Sequence, residues 1–189
     1  MRRFGDADEH GGKKKLEAWR IAVYGVIFAV LSILLAILQT SDVRVFGQIP
    51  NALLALVCAV GFVFGGGFGA LFGLFSGIAI ELLGGSGFSL TPILFVLCGF
   101  LCGELVDKIL TSNFWSFMIF GAAAGVLREV FTLLHFGLIS ENLSILELIK
   151  DVIIGEYFAY FLCLVPAYFT SLGIYLLFKG KDEGSRKVK

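Results

Sequence analysis

The chain has 189 residues, 58% of them hydrophobic and 16% charged, with a mean hydropathy of +0.91. That is too apolar for a soluble core of this size and marks an integral membrane protein. Its 24 glycines and 20 phenylalanines suit helices that approach closely in lipid while bulky rings face outward or fill gaps. The apolar runs are continuous, whereas a membrane barrel would alternate polar and apolar at period two, so the sequence predicts an all-α bundle.

Lys+Arg and Asp+Glu each number 15, so the net charge is zero and the information lies in its distribution. Arg2, Arg3, Lys13, Lys14, Lys15 and Arg20 precede the first apolar run, and Lys179, Lys181, Arg186, Lys187 and Lys189 follow the last. Both termini are therefore expected on the cytoplasmic side, which requires an even number of spans. The pattern divides into a disordered cytoplasmic tail over 1–18, a six-helix transmembrane domain over 19–178 and a basic cytoplasmic tail over 179–189. Ile21 to Leu38 is long enough to span and is followed by no small-residue cleavage site, so it reads as a first span and not as a cleavable signal.

In chain order, span one covers Trp19–Leu38, anchored by Trp19 and Arg20, and Gln39 to Arg44 form an outer loop. Pro50 and Asn51 open span two, since proline is tolerated in a first helical turn. Asn51–Phe64 reaches only about 21 Å at the helical rise. Gly65–Gly67 is expected as a cytoplasmic turn, with span three over Phe68–Leu83. Gly84, Gly85, Ser86 and Gly87 then form an outer turn. Span four begins near Ser89 and Thr91, carries Pro92 in its first turn and ends near Leu105. Glu104, Asp107 and Lys108 mark its cytoplasmic end. Span five covers Phe114–His135. Residues 136–151 form the longest outer connection, with Ser144 and Glu147 reading as a capping box before a short interfacial helix. Span six covers Val152–Phe178, carries Glu156 near its outer end and is expected to kink at Pro166. Twelve of the 15 Lys and Arg residues, the eleven flanking ones and Lys108, then fall on cytoplasmic segments.

Glycines recur at Gly61, Gly65, Gly69, Gly73 and Gly77, and the next step of this row is Glu81. Small residues four apart let helix backbones approach closely. A carboxylate at mid-helix in hydrocarbon costs about 2.5–3.5 kcal/mol even on insertion scales. Four-residue spacing drifts about 40° per step against a 3.6-residue turn, which displaces Glu81 from Gly73 toward another groove. Gly99 with Gly103 and Gly121 with Gly125 are further close-approach pairs. Arg128 and Glu129 are adjacent, about 100° apart, so they do not simply neutralise each other on one face and at least one needs a partner elsewhere. Cys58, Cys98, Cys102 and Cys163 all lie in apolar runs and read as buried small hydrophobes, with no disulfide and no metal. His10 and His135 complete no nucleophile–base–orienter set, so no enzyme and no cofactor are expected. The cytoplasmic charges read as positive-inside flanks, and no nucleic-acid site is expected.

The ordered series Gln39, Phe46–Gly47, Pro50–Asn51 with a leucine-rich run, Gly73–xxx–Gly77–xxx–Glu81–xxx–Gly85 and Gly99–Phe100–xx–Gly103 resembles the bacterial rod-shape-determining MreD family. The resemblance covers residues 19–178, with its specific part in 39–103. The family usually has aspartate where this chain has Glu81, and often glycine at Ser89; Glu156 is similar to an acidic position early in the family's last span. The resemblance implies a non-enzymatic inner-membrane subunit of the elongation machinery that binds MreC beside MreB, RodA and a class B penicillin-binding protein in lateral peptidoglycan synthesis. It also implies the six-helix arrangement of the substrate-binding subunits of energy-coupling-factor vitamin transporters.

Two readings stand for the acid and the glycines. Glu81 is either a polar anchor paired with Arg128 or facing a cavity, or an acid hydrated near the outer interface or protonated in place. Arg128, the one basic residue well inside an apolar span, is expected to pair with Glu81 or Glu156. The glycine row either packs within the chain or forms a groove for the MreC membrane helix beside spans two and three, which Gly69→Leu or Gly73→Leu would block. The alternative function is the transporter binding subunit itself, with Ala18 and Ala22 as a small-residue contact pair.

Overall fold

A computed structural model describes residues 6–41, 49–84, 90–109, 113–139 and 156–186. These form six helices and no strand: α1 Asp6–Thr40, α2 Ala52–Phe64, α3 Gly66–Gly84, α4 Thr91–Ile109, α5 Phe114–Ile139 and α6 Tyr157–Arg186. Within them, Ala22–Thr40, Gly66–Gly84, Phe114–Phe131 and Tyr157–Leu177 are long and apolar enough to cross a membrane, and α2 and Thr91–Leu105 are shorter apolar segments.

The core is built around α2. Every residue from Leu53 to Phe62 is buried, and the helix touches all five others. At 13 residues it is about 20 Å long, shorter than a typical hydrocarbon layer. Asn51 caps it, its Oδ1 accepting the Leu54 N–H at 3.3 Å, and so satisfies a donor that a helix start leaves without a partner. The other end stops at a single residue. Gly65 has φ 94° and ψ 162°, a backbone region open essentially to glycine alone. The expected three-glycine turn thus narrows to Gly65, and Gly66 and Gly67 already belong to α3.

Directions follow from which residues meet. Phe28 meets Phe72 edge-on, the Ser32 hydroxyl donates to Ser76 at 2.9 Å, and Thr40 lies beside Gly84, so α1 and α3 run parallel with a constant offset. Gly66 lies against Glu104, Gly69 against Gly99 and Gly73 against Phe95, so α3 and α4 run antiparallel. Gly121 abuts Leu164 and Gly125 abuts Tyr160, which makes α5 and α6 antiparallel as well. Aromatic rings fill the remaining gaps: Tyr24, Phe28, Phe64, Phe68 and Phe72 interlock between α1, α2 and α3. Phe62, Phe114, Phe117 and Tyr168 do so where α2, α5 and α6 converge. The outer faces stay apolar and exposed, as at Val26, Leu71, Ile119 and Leu177.

Several boundaries differ from those the sequence predicts. α1 is helical from Asp6, inside the segment expected to be a disordered tail. Its sequence opens with Asp6, Asp8 and Glu9, acidic residues of the kind that favour a helix N-terminus. α6 likewise continues into the expected basic tail as far as Arg186, and it carries Pro166 within the helix. There Thr170 Oγ1 donates to the Pro166 carbonyl at 2.7 Å. α5 extends to Ile139, four residues beyond His135. Gly85, Ser89 and the Ser144–Glu147 capping box lie outside the described residues.

Candidate functional site

The glycine row closes on itself inside the bundle. A Cβ built on Gly69 would stand 2.5 Å from the Gly61 Cα and 2.5 Å from the Gly99 carbonyl oxygen, so the backbones of α2, α3 and α4 meet at these three glycines. One turn along, Gly73 faces the Phe95 carbonyl and Gly77 the Pro92 Cα; in the other direction Gly103 faces Gly66. Gly73–Gly77 and Gly99–Gly103, separate in sequence, are thus two sides of one antiparallel seam. Such close approach lets dispersion act between backbones where lipid supplies no hydrophobic drive.

This placement corrects one expectation. Gly69 and Gly73 are buried against α4 and α2, so they present no open groove to a partner's helix. Leucine at either position would disrupt the bundle before it blocked docking.

Glu81 sits one step past Gly77, rotated about 40° from it, and so leaves the seam. Its Oε1 is buried without a hydrogen-bond partner among the described residues. The pairing of Glu81 with Arg128 expected as one option is not formed. Instead Arg128 Nη1 bonds Glu156 Oε2 at 2.5 Å and Glu129 Oε1 at 2.6 Å. The Glu156 option holds, and with it the expectation that the Arg128–Glu129 pair needs a partner elsewhere, although the long guanidinium arm also reaches back across the 100° to Glu129 and so bridges both acids. Glu129 is only 6% exposed, and its Oε2 finds no donor among the described residues.

Below this triad, Tyr160 Oη donates to the Gly121 carbonyl at 2.7 Å and lies 4.0 Å from Cys58 Sγ. Cys58 of α2 neighbours Cys98 and Cys102 of α4, so three buried thiols from two helices gather there. All are free, and among the described residues no group of three or more ligands is placed to hold a metal ion. The sequence marks Cys98 and Cys102 as one helix face but carries no sign that Cys58 joins them. The α5–α6 contact does have a signal: Gly121, Gly125 and Arg128 fall at i, i+4 and i+7, and Glu156, Tyr160 and Leu164 at four-residue steps, two faces that pair in reverse order. His135 lies on α5, its side chain outside those described.

These features define an all-helical protein with four helices long and apolar enough to span a membrane, a glycine-lined backbone seam and one charged triad. No protein-family model, curated protein or solved structure matches the chain.

Proposed function

We propose that this chain is a non-enzymatic scaffold subunit of the bacterial elongation machinery, a multi-pass protein of the cytoplasmic membrane with six spans and both termini inside. In this reading it binds MreC and stands with MreB, RodA and a class B penicillin-binding protein, positioning cell-wall synthesis by helix packing and loop contacts without chemistry of its own. The carrying observation is the ordered series Pro50–Asn51, Gly73–xxx–Gly77–xxx–Glu81 and Gly99–Phe100–xx–Gly103. Two features of the fold support giving that series weight: Asn51 caps the central helix, and both glycine runs line the one seam between α3 and α4. Six spans, in an arrangement shared with energy-coupling-factor binding subunits, are supported by the helix directions: α1 and α3 are parallel, so α2 must return across the same thickness between them.

The test is co-expression of the tagged chain with MreC and purification in mild detergent. A stoichiometric complex is the expected result. Recovery of the chain alone with a bound vitamin, or with transporter ATPases, would replace this reading with the transporter one.

A further inference from the structure

One ring of α2 joins α1 to α6. Phe64 meets Tyr24 of α1 at 4.9 Å and Tyr175 of α6 at 5.8 Å between ring centroids, both edge-on, while α1 and α6 share no extended contact with each other. α2 stops at Phe64 and the chain turns at Gly65 into α3, so neither α2 nor α3 continues past that turn, whereas α1 and α6 both do. A cleft is left below Phe64 with α1 and α6 as its walls. It is open: Gly67 at the turn is exposed with nothing within 4 Å of an added Cβ, and Trp19 and Leu177 on the two walls are 70% and 76% exposed. One helical turn past the rings, about 6 Å, each wall carries its first charge. These are Arg20, four residues before Tyr24, and Lys179, four after Tyr175, each on the face of its helix that bears the tyrosine. Their depth follows from the apolar segments Ala22–Thr40 and Tyr157–Leu177, beyond which both helices run on into charged sequence. α1 climbs along α3 from Phe28 and α6 follows α2 from Tyr160 to Tyr175, so both cations stand on the turn side, at the edge of the apolar layer.

We infer that the cleft between α1 and α6 binds the phosphate of an anionic phospholipid, with Arg20 at one wall and Lys179 at the other. Two like charges at one cleft repel unless an anion stands between them. Glu17 stands a turn farther out on α1, and Glu104 lies on the α4 side of the turn, against Gly66. A phosphodiester supplies the negative charge and the acceptor oxygens that a guanidinium fork and an ammonium complement, and its acyl chains fit the exposed apolar Ala22 and Leu176 just inside the pair. A zwitterionic lipid brings its own ammonium, which cancels that charge. The inference rests on the membrane-spanning reading and is independent of the elongation-machinery one.

The experiment uses the full chain in detergent, with native mass spectrometry of bound lipid in equimolar phosphatidylglycerol and phosphatidylcholine. Phosphatidylglycerol is expected to be retained in excess. Arg20→Gln and Lys179→Gln should each lower the ratio about fivefold, the share of one cation beside an anionic headgroup. Basic flanks also attract anionic lipid with no fixed place, so the control removes equal charge elsewhere: Lys187→Gln with Lys189→Gln should leave the ratio unchanged. Equal retention of the two lipids overturns the inference, and so does a ratio that falls as far in this control as in Arg20→Gln with Lys179→Gln. Bound phosphatidylglycerol is expected to survive millimolar glycerol phosphate; displacement would assign the cleft to soluble phosphates and overturn the lipid as its occupant. Retention of the chain in carbonate-washed membranes reads the spanning premise separately.

Discussion

A methyl group added at Gly99 would run into the Gly69 carbonyl, whereas one added at Gly25 or Gly173 would meet nothing within 4 Å. The same substitution therefore has opposite signs along the chain. Gly99→Ala should lower stability by about 1–3 kcal/mol through overpacking. Gly25→Ala and Gly173→Ala should raise it by about 0.5–1 kcal/mol, because glycine loses the most freedom on entering a helix. Thermal unfolding of the three variants in one detergent checks both signs, and equal effects would contradict the seam. Arg128 is a sharper case. Replacing it by glutamine strands Glu129, and removing one partner of a buried pair costs about 3–5 kcal/mol. With 24% of the Arg128 side chain exposed, the expected loss is at the low end, and adding Glu129→Gln to Arg128→Gln should recover part of it. A double variant no more stable than Arg128→Gln alone would argue against the pair.

At the scale of elements, α1 is tied to α3 by ring contacts and by the hydrogen bond from Ser32 to Ser76, both fully buried. A double-alanine cycle on these two serines should give a coupling of about 0.5–1.5 kcal/mol, as for a hydrogen bond between apolar helices. Zero coupling in reversible unfolding would show that α1 is held by its rings alone. The sequence makes the helices themselves legible because each is a long apolar run, and Pro50, Asn51 and Pro92 mark starts where the chain does turn. It marks Gly69, Gly73, Gly99 and Gly103 as close-approach residues, since only backbone contact explains glycine at that spacing in a helix. It does not say what each approaches, because a small-residue row fits any other row equally well. For the same reason Glu81 and Glu156 were equal candidates for Arg128: one-dimensional spacing fixes a residue's height and face on its own helix but not the neighbour across the groove.

At the scale of the whole molecule, the most consequential feature is that the least membrane-like helix by length is the most enclosed. α2 has 13 residues, yet all five other helices cover it. The chain leaves α1 at Ser41 and enters α3 at Gly66, and α1 and α3 point the same way, so these two points lie at opposite ends of the bundle. If all six helices cross, residues near Gly67 share a side with both termini and residues near Ser41 face the other. If only the four long helices cross, Gly67 and Ser41 share a side. Gly67 is exposed with nothing within 4 Å of an added side chain, and Ser41 is exposed, so each accepts a cysteine without disturbing the packing. Cys58, Cys98 and Cys102 are buried and should not react, and the half-buried Cys163 is removed as Cys163→Ala. With a membrane-impermeant maleimide on intact spheroplasts, Ser41→Cys should label at once. Gly67→Cys should label only after permeabilisation, together with a cysteine placed at Lys189. Labelling of Gly67→Cys and Ser41→Cys from the same side would mean that α2 does not cross, against the parallel course of α1 and α3, whereas outside labelling of Gly67→Cys alone would reverse the proposed orientation.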